Sequence, residues 1–149
     1  MVDTLRTAPG FRAIEGTPTS TSNVARIGLW SDYENNNKWY FNEDCEMVII
    51  ATAGCAKLEM IPCSTKSSDM LYSKANSMWV GAIGTLVIGE PLVDMITIPK
   101  GTPYRWKMRS DLSIRPQIDL FVISTPPWRP EQYKPWVHPD AEKPFPALT

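Results

Sequence analysis

The clearest pattern of hydrophobic and polar positions lies in the second half of the chain, over residues 93–127. An apolar, largely β-branched run, Met95–Ile98, precedes a turn sequence at residues 99–103 that contains two prolines and one glycine. Proline fixes φ and glycine can adopt a positive φ, so this composition ends a strand and reverses the chain. Apolar residues then recur over residues 104–108 and 120–124. The pattern predicts strands on both sides of a tight turn, followed by a hairpin return.

The first half of the chain contains shorter apolar stretches of the same kind. We predict strands over residues 23–30 and 56–61, a strand pair over residues 38–52, and a further strand over residues 85–88. A polar, asparagine-rich loop at residues 31–37 precedes the strand pair. The chain shows no strong helical periodicity and no internal repeat, so the pattern predicts an all-β fold.

Three segments differ in composition from the predicted strands. Residues 1–22 are rich in Thr, Ser, Pro and Gly and predict an arm with at most one short strand. Residues 62–84 predict an inserted loop or hairpin, which is often functional when it lies over a barrel mouth. Residues 128–149 are rich in proline and aromatic residues and predict an extended tail packed on its own barrel or on a second subunit. We expect one domain over residues 1–149, with the barrel over residues 23–127.

Overall charge and apolar run length exclude several classes of partner. The formal net charge is -1, which gives no electrostatic reason to expect a nucleic acid or an anionic membrane. No apolar run reaches the roughly 18 residues needed to span a bilayer, and the first residues lack the apolar core of a signal peptide. We therefore expect no nucleic acid and no membrane as partner, and a cytoplasmic location.

The cysteines predict no covalent or metal framework. There are three, Cys45, Cys55 and Cys63, and no two of them form a Cys-x-x-Cys pair. An odd number with this spacing argues against both a disulfide framework and a zinc site. A nucleophilic Cys needs a neighbouring base, and the one histidine, His138, lies in the tail. We interpret the cysteines as buried free thiols.

The sequence IPKGTPYRW, residues 98–106, resembles the second conserved motif of the cupin superfamily. In that motif a strand and a Pro-x-Gly turn are followed by a His and, four residues later, by an Asn. Here Tyr104 stands at the His position and Met108 at the Asn position, while Asp94 matches the acidic residue before the strand. The resemblance covers about residues 38–128 and implies a small cupin-like double-stranded β-helix (jellyroll) barrel.

The first cupin motif, His-x-His followed by a Glu, is matched without its histidines. Its two His positions fall within Trp39, Tyr40, Phe41, Asn42 and Glu43. Spacing from Gly54 places Met47 at the Glu position, although a β-bulge would turn Glu46 to the inner face instead. Cupins hold their metal mainly through imidazole, the usual ligand for such ions. We therefore predict no metal site and no cofactor.

The aromatic replacements predict a cavity that acts without a metal. If Tyr104 faces inward, strand alternation also turns Trp106 and Met108 inward. The remaining predicted substrate-binding residues are Tyr40, Trp39 and Met47. A buried Glu46 would have a raised pKa and act as the base, and Tyr104 would donate a hydrogen bond to an oxygen that gains charge. These roles predict a metal-independent isomerase, cyclase or lyase for an apolar, carbonyl-bearing small molecule, of the kind found in secondary metabolism.

Other interpretations of the same residues stay open. Glu46 can be a solvated carboxylate at a strand end, and Tyr104 can be a core aromatic with its hydroxyl at the rim. The protein would then be a non-catalytic binding or sensing barrel that has lost its metal. A third possibility is a structural or assembly partner that uses the aromatic tail. The expected partners are a small molecule and a second copy of the chain, in a homodimer held by its arms as the resemblance implies.

Overall fold

The computed structural model describes residues 4–61, 76–82, 92–109 and 117–136. Within these ranges the chain forms eleven strands and one short 3-10 turn, so the predicted all-β fold is confirmed. The strands are β1 (Thr4–Ala8), β2 (Phe11–Glu15), β3 (Asn23–Leu29), β4 (Tyr40–Asn42), β5 (Glu46–Met60), β6 (Asn76–Gly81), β7 (Leu92–Val93), β8 (Met95–Ile98), β9 (Tyr104–Lys107), β10 (Ile118–Thr125) and β11 (Tyr133–Pro135). The 3-10 turn is Pro130–Gln132.

The long strand β5 belongs to two sheets and joins them. Its first half pairs with β10 and β8, and its second half pairs with β6 and β9. One sheet therefore has the order β1-β2-β3-β10-β5-β8, and the other has the order β7-β6-β5-β9-β4-β11. All these pairs are antiparallel except β6 with β7. The sheets curl into a half-barrel with one shared apolar core.

A bulge and a glycine allow β5 to pass from one sheet into the other. The pairing of β10 with β5 shifts between Asp119 and Leu120, which leaves Thr52 as the extra residue of a β-bulge. Gly54 has a φ of 69°, a conformation that side-chain-bearing residues rarely adopt. A Cβ atom on Gly54 would lie 2.0 Å from the carbonyl oxygen of Gln117. The strand bends here because Gly54 has no side chain to prevent this close approach.

The strands around the second motif match the prediction. Strands β3, β8, β9 and β10 lie where the sequence predicts them. The prediction of separate strands at residues 38–52 and 56–61 is wrong at its boundary, because β5 runs without interruption for 15 residues through Gly54. The predicted strand at residues 85–88 lies outside the described residues.

The inserted segment at residues 62–84 is described over residues 76–82. Within that range, β6 pairs with the second half of β5 and its Val80 is fully buried. This part of the segment is therefore a strand of the barrel wall. The rest of the insertion lies outside the described residues.

The N-terminal segment forms two strands where the sequence predicts at most one. Strands β1 and β2 form a hairpin, and β2 pairs with β3 of the same chain. The hairpin turns at Gly10, which has a φ of 67° and packs against the backbone of Tyr33. Ala13 is fully buried by this packing. The prediction of an arm fails because Phe11 and Ala13 alternate on the inner face of β2 as strand residues do, a pattern that the Thr- and Pro-rich composition around them conceals.

The C-terminal segment over residues 126–136, here called the C-terminal strap, crosses back to the barrel. It begins after a cis peptide bond between Thr125 and Pro126 and passes through the 3-10 turn into β11, which pairs with β4. Packing of the tail on its own barrel is thus observed for the strap. Residues 137–149 of the predicted tail lie outside the described residues.

No helix within the described ranges is long and apolar enough to cross a membrane. The expected homodimer stays a prediction. Among the described residues, four large apolar side chains are exposed: Met95 at 59%, Leu5 at 56%, Val24 at 43% and Phe121 at 40%.

Candidate functional site

A cavity of about 400 Å³ opens between the inner faces of the two sheets. Its walls come from the N-terminal hairpin, both sheets, the loop after β3 and the C-terminal strap. The lining residues are Arg6, Thr7, Ala8, Phe11, Glu15, Asn23, Ala25, Ile27, Leu29, Tyr33, Glu34, Asn35, Met47, Ile49, Tyr104, Trp106, Leu120, Val122, Ser124, Trp128, Pro130 and Tyr133. A mainly apolar pocket of this size with a few polar groups is typical of a small-molecule site.

Strand β9 delivers Tyr104 and Trp106 to the cavity as strand alternation predicts. Both are buried and line it, whereas Arg105 and Lys107 between and after them are only partly buried. Met108 is also buried, but it packs in the core and is not a lining residue of the described cavity. Its backbone N–H donates to Oδ1 of Asn36 at 2.7 Å, which fixes the end of the strand.

Strand β4 places Tyr40 and Asn42 on the inner face. Tyr40 is directly opposite Tyr104, and cross-strand partners share a face. The ring of Tyr40 stacks on the ring of Tyr133, with centroids 4.6 Å apart. Tyr133 lines the cavity and Tyr40 does not, so Tyr40 supports the cavity wall from behind. Trp39 faces the other way because alternation reverses at each residue, and the Arg105 guanidinium lies 4.6 Å from its ring centroid. The prediction that Trp39 lines the pocket is therefore wrong.

At the start of β5, Met47 faces inward and Glu46 faces outward. Met47 is buried and lines the cavity, and Glu46 is exposed opposite Thr125. The bulge that would turn Glu46 inward does exist, but it lies at Thr52. It changes the alternation after that point and leaves the outward direction of Glu46 unchanged. The geometry thus corrects the expectation of Glu46 as a buried base.

Asn42 is a buried polar hub behind the cavity wall, with an exposure of 3%. Its Oδ1 accepts a hydrogen bond from Nε1 of Trp128 at 2.9 Å, and its Nδ2 lies 3.3 Å from Sδ of Met47 as donor. It also lies close enough to Tyr104 to lower the pKa of that phenol against the effect of burial. One amide therefore bonds a residue of β5 and a residue of the strap, next to a residue of β9.

Three phenol groups meet at the same end of the cavity. All three line the cavity, and the Tyr133 side chain lies close enough to Tyr33 and Tyr104 to affect the pKa of each. Burial is the largest cause that raises the pKa of each of these tyrosines above its ordinary value, and the neighbouring phenols raise it further for Tyr104 and Tyr133. All three are therefore neutral hydrogen-bond donors and acceptors at neutral pH.

The cavity also contains an ion pair from the N-terminal hairpin. Arg6 Nη2 lies 2.7 Å from Glu15 Oε1, and the two side chains are 35% and 18% exposed. The Arg6 guanidinium lies 4.3 Å from the centroid of the Trp128 ring and 5.9 Å from that of Phe11. This arrangement places a cation against two aromatic rings, with a paired carboxylate beside it, inside one cavity.

Sequence reasoning missed most of these polar residues. Arg6 and Glu15 lie in a segment interpreted as an arm, and Tyr133 and Trp128 in one interpreted as a tail. The available signal was the alternation of residues 11–15, which fits a strand with one face inward. The aromatic residues of the tail were recognised as able to pack, but nothing in their spacing points to a cavity.

The inner face of this barrel does not fit a transition metal. The positions where the resemblance places metal ligands carry two phenols, an amide and a thioether: Tyr40, Tyr104, Asn42 and Met47. The amide is already bonded to Trp128 and Met47. Burial raises the pKa of Tyr104, so its phenol resists the deprotonation that metal binding requires. Among the described residues, no group of three or more His, Cys, Asp or Glu side chains lies together.

The described cysteines and Glu43 do not line the cavity. Cys45 and Cys55 are free thiols, and burial raises the pKa of Cys45 to about 11. Glu43 is exposed and forms an ion pair with Lys134 of the strap. Cys63 lies outside the described residues.

Comparison with known proteins identifies the fold. No protein-family model and no curated protein matches the chain significantly. Streptomyces Pac13, described as a nucleoside dehydratase, is 12% identical, with 95% of this chain and 90% of that chain covered and a TM-score of 0.56. KdgF from Halomonas is 9% identical, with coverages of 86% and 91% and a TM-score of 0.53. Oxalate decarboxylase from Lactobacillus farciminis is 10% identical and has a TM-score of 0.58, with 89% of this chain and 33% of that chain covered. Since these are cupin-like barrels, the chain has the fold of a small cupin-like jellyroll, with tyrosine, asparagine and methionine where the resemblance places metal ligands.

Proposed function

We propose that the protein binds a small, carbonyl-bearing organic molecule in the barrel cavity and converts it by acid/base isomerisation, cyclisation or elimination. The observation that carries the proposal is the presence of buried phenols and a carboxylate in one largely apolar cavity of about 400 Å³. Chemistry of this kind needs a base, a group that stabilises a developing oxyanion, and exclusion of bulk water.

Tyr104 is the proposed oxyanion donor. Burial raises its pKa, so the phenol keeps its proton at neutral pH and donates it in a hydrogen bond. Such a donor stabilises a carbonyl oxygen that gains negative charge when a neighbouring C–H bond breaks. Its ring is buried in the apolar core that also contains Trp106.

Glu15 is the proposed base, in place of Glu46. Its carboxylate lines the cavity and is held by Arg6. In the reaction that we propose, Glu15 takes a proton from the carbon next to the carbonyl, and the electron pair moves onto the carbonyl oxygen. The resulting enolate can take the proton back from Glu15 at another carbon, which completes an isomerisation. It can instead add to an electrophilic carbon of the same molecule, whose π bond breaks as the ring closes and whose displaced electron pair takes the proton from Glu15. In an elimination it expels a leaving group, which takes that proton. No metal is required in this scheme, and the donor set described above suits none.

The similarity to Pac13 supplies a first ligand to test. A variant of that protein has been solved with uridine, at 12% identity to this chain and a TM-score of 0.58. Uridine carries carbonyl oxygens on a planar ring, which suits the aromatic and phenolic lining of the present cavity. We therefore include nucleosides among the carbonyl-bearing candidates.

A binding protein without catalysis is the second candidate. It is favoured by the Arg6–Glu15 pair, because a guanidinium at 2.7 Å already occupies one oxygen of the carboxylate and leaves less of it accessible to a ligand C–H bond. In that case Arg6 and Glu15 would serve only to recognise the ligand.

Binding followed by a turnover assay tests the proposal. Uridine and a panel of cyclic ketones, enones and lactones are titrated by calorimetry, and bound compounds are then followed by proton NMR for conversion and for deuterium uptake from D₂O. We expect Glu15→Gln and Tyr104→Phe to reduce turnover by about 10²-fold or more with little change in affinity. The matched variant Glu46→Gln, at an exposed outward position, should keep its turnover.

The outcomes separate the candidates. Binding without conversion or exchange favours the non-catalytic protein. Loss of turnover in Glu46→Gln, with Glu15→Gln unaffected, would overturn the assignment of the base. If no compound of the panel binds, the proposed use of the cavity is wrong.

A further inference from the structure

The C-terminal strap contributes two aromatic side chains to the cavity, and both are held firmly. The backbone N–H of Trp128 donates to Oδ1 of the buried Asn23 at 2.9 Å, and its indole N–H donates to Asn42 at 2.9 Å. Arg6 packs on its ring from the other side. The strap is therefore part of the wall of the site.

Tyr133 is held by its ring, which leaves its hydroxyl group directed at other phenols. The ring stacks on Tyr40 at 4.6 Å with an interplanar angle of 6°. Tyr33, from the loop after β3, and Tyr104, from β9, line the same cavity and lie close enough to Tyr133 for each phenol to affect the pKa of its neighbour. Three separate parts of the chain thus bring their phenols together at one end of the cavity.

We propose that Tyr133, Tyr33 and Tyr104 form a three-phenol site that binds one oxygen atom of the ligand, a carbonyl oxygen that becomes an enolate or phenolate oxygen. This inference rests on the proposed small-molecule function and names the ligand group that the inner end of the cavity recognises. Asn42 is a positioning residue, which holds Tyr104 and Trp128 from behind.

The number of donors explains why the ligand atom is an oxygen. Each phenol has one O–H donor and an oxygen that accepts. A cluster of three such hydroxyls in one cavity wall can therefore present O–H donors to an acceptor atom of a ligand. The surrounding wall includes Trp106, Met47 and Ile49 and is apolar, and an unpaired donor in such surroundings favours an acceptor with high negative charge.

The charges near the cluster agree with this role. Glu34 lies close enough to Tyr33 to oppose ionisation of that phenol. Burial and the neighbouring phenols raise the pKa of Tyr104 and Tyr133 as well. The cluster therefore keeps its protons when an anionic oxygen arrives, which is what an oxyanion-binding site requires.

The test uses 2-naphthol, an apolar probe whose one oxygen ionises with a change in absorption. We expect the wild-type protein to bind it and to lower the pH at which the bound probe ionises, because three phenols favour the anionic form. Tyr133→Phe keeps the ring stack on Tyr40 and removes only the hydroxyl. It should move the titration of the bound probe back by about one pH unit and weaken binding of the anion about tenfold.

Two further variants make the result decisive. Tyr33→Phe removes a hydroxyl from a different part of the chain and should cause the same shift in titration and the same loss of affinity for the probe. If Tyr133→Phe does not fold, the result with Tyr33→Phe tests the three-phenol site in its place. Lys134→Ala changes the strap at an exposed side chain that pairs with Glu43, and it should leave both the affinity and the titration of the probe unchanged.

Failure of this inference can be told apart from failure of the proposed function. If members of the carbonyl panel bind but 2-naphthol does not, or if its titration is the same when bound and free, the three-phenol site is overturned and the proposed function stands. Normal probe binding in both Tyr133→Phe and Tyr33→Phe overturns it too. If neither the panel nor the probe binds, both proposals fail.

Discussion

At the scale of single residues, Asn42 contributes most to holding the site together. It is buried, and its amide contacts Trp128, Met47 and Tyr104. A buried polar group left without its partner costs about 1–3 kcal/mol. The residue therefore links the stability of the barrel to the geometry of the cavity.

Replacing Asn42 by Leu should lower the free energy of unfolding by about 1–3 kcal/mol, because the indole N–H of Trp128 then loses its acceptor. Urea denaturation followed by tryptophan fluorescence measures the change. The neighbouring exposed position provides a control, since Glu43→Gln should change stability by less than about 0.5 kcal/mol. An Asn42→Leu protein as stable as the wild type would show that the amide bonds are not important to the fold.

Alternation predicted some site residues from the sequence and could not predict others. The inward direction of Tyr104 and Trp106 follows from one correctly located strand, since successive side chains of a strand point to opposite faces of the sheet. The choice between Glu46 and Met47 depended on where a bulge lies, and a bulge has no reliable sequence signal beyond the nearby Gly54. Tyr133 could not be predicted, because its position depends on a contact with β4, more than eighty positions earlier in the chain.

At the scale of elements, the bend in β5 determines how the two sheets meet. Residues 46–60 have strong strand propensity throughout, yet from the sequence alone Gly54 suggests that the strand ends there. In the structure the glycine allows a bend without breaking the strand. The turn at Gly101 is the opposite case, because there the predicted reversal between β8 and β9 is observed.

Substituting Gly54 by Ala should destabilise the protein strongly, by about 3 kcal/mol or more. The new Cβ would lie 2.0 Å from the carbonyl oxygen of Gln117 and would also carry the cost of a positive φ. Gly101→Ala is the matched control, since Gly101 has a similar φ of 76° and no atom within 4 Å of the new Cβ. It should cost only about 1–2 kcal/mol. Thermal and urea midpoints compare the two, and equal losses would contradict the role of close approach at Gly54.

At the scale of the whole molecule, several buried acids hold protons that the unfolded chain would release. Burial raises the pKa of Cys45 from 9.0 to about 11 and also raises that of Tyr33, Tyr104 and Tyr133. Above pH 9 the unfolded chain therefore binds fewer protons than the folded protein, and the free energy of unfolding falls as pH rises.

Between pH 8 and pH 11 we expect the free energy of unfolding to decrease by about 1 kcal/mol or more, with little change between pH 7 and pH 8. Urea titrations at a series of pH values measure this slope. Cys45→Ala removes one of the four groups and should make the decrease smaller. Stability that stays constant up to pH 11 would show that these groups are not protected by the fold.

The fold as a whole was easier to predict than the cavity within it. A turn motif with strands on both sides was sufficient for the jellyroll, because local composition determines a turn. Part of the cavity wall is built by the two segments whose composition indicated an arm and a tail. Their strands form through pairing with β3 and β4. Tertiary packing, and not intrinsic strand propensity, determines whether such segments form strands.

The hydrogen bond from Trp128 to Asn23 joins positions 105 residues apart. A chain still being synthesised on the ribosome lacks the last wall of the pocket until that tryptophan has emerged from the exit tunnel. Contacts of such long range also slow folding, because a large loop must close before they form. The newly made protein should therefore gain its capacity to hold a ligand in a single step, only after the segment that carries Trp128 has been translated.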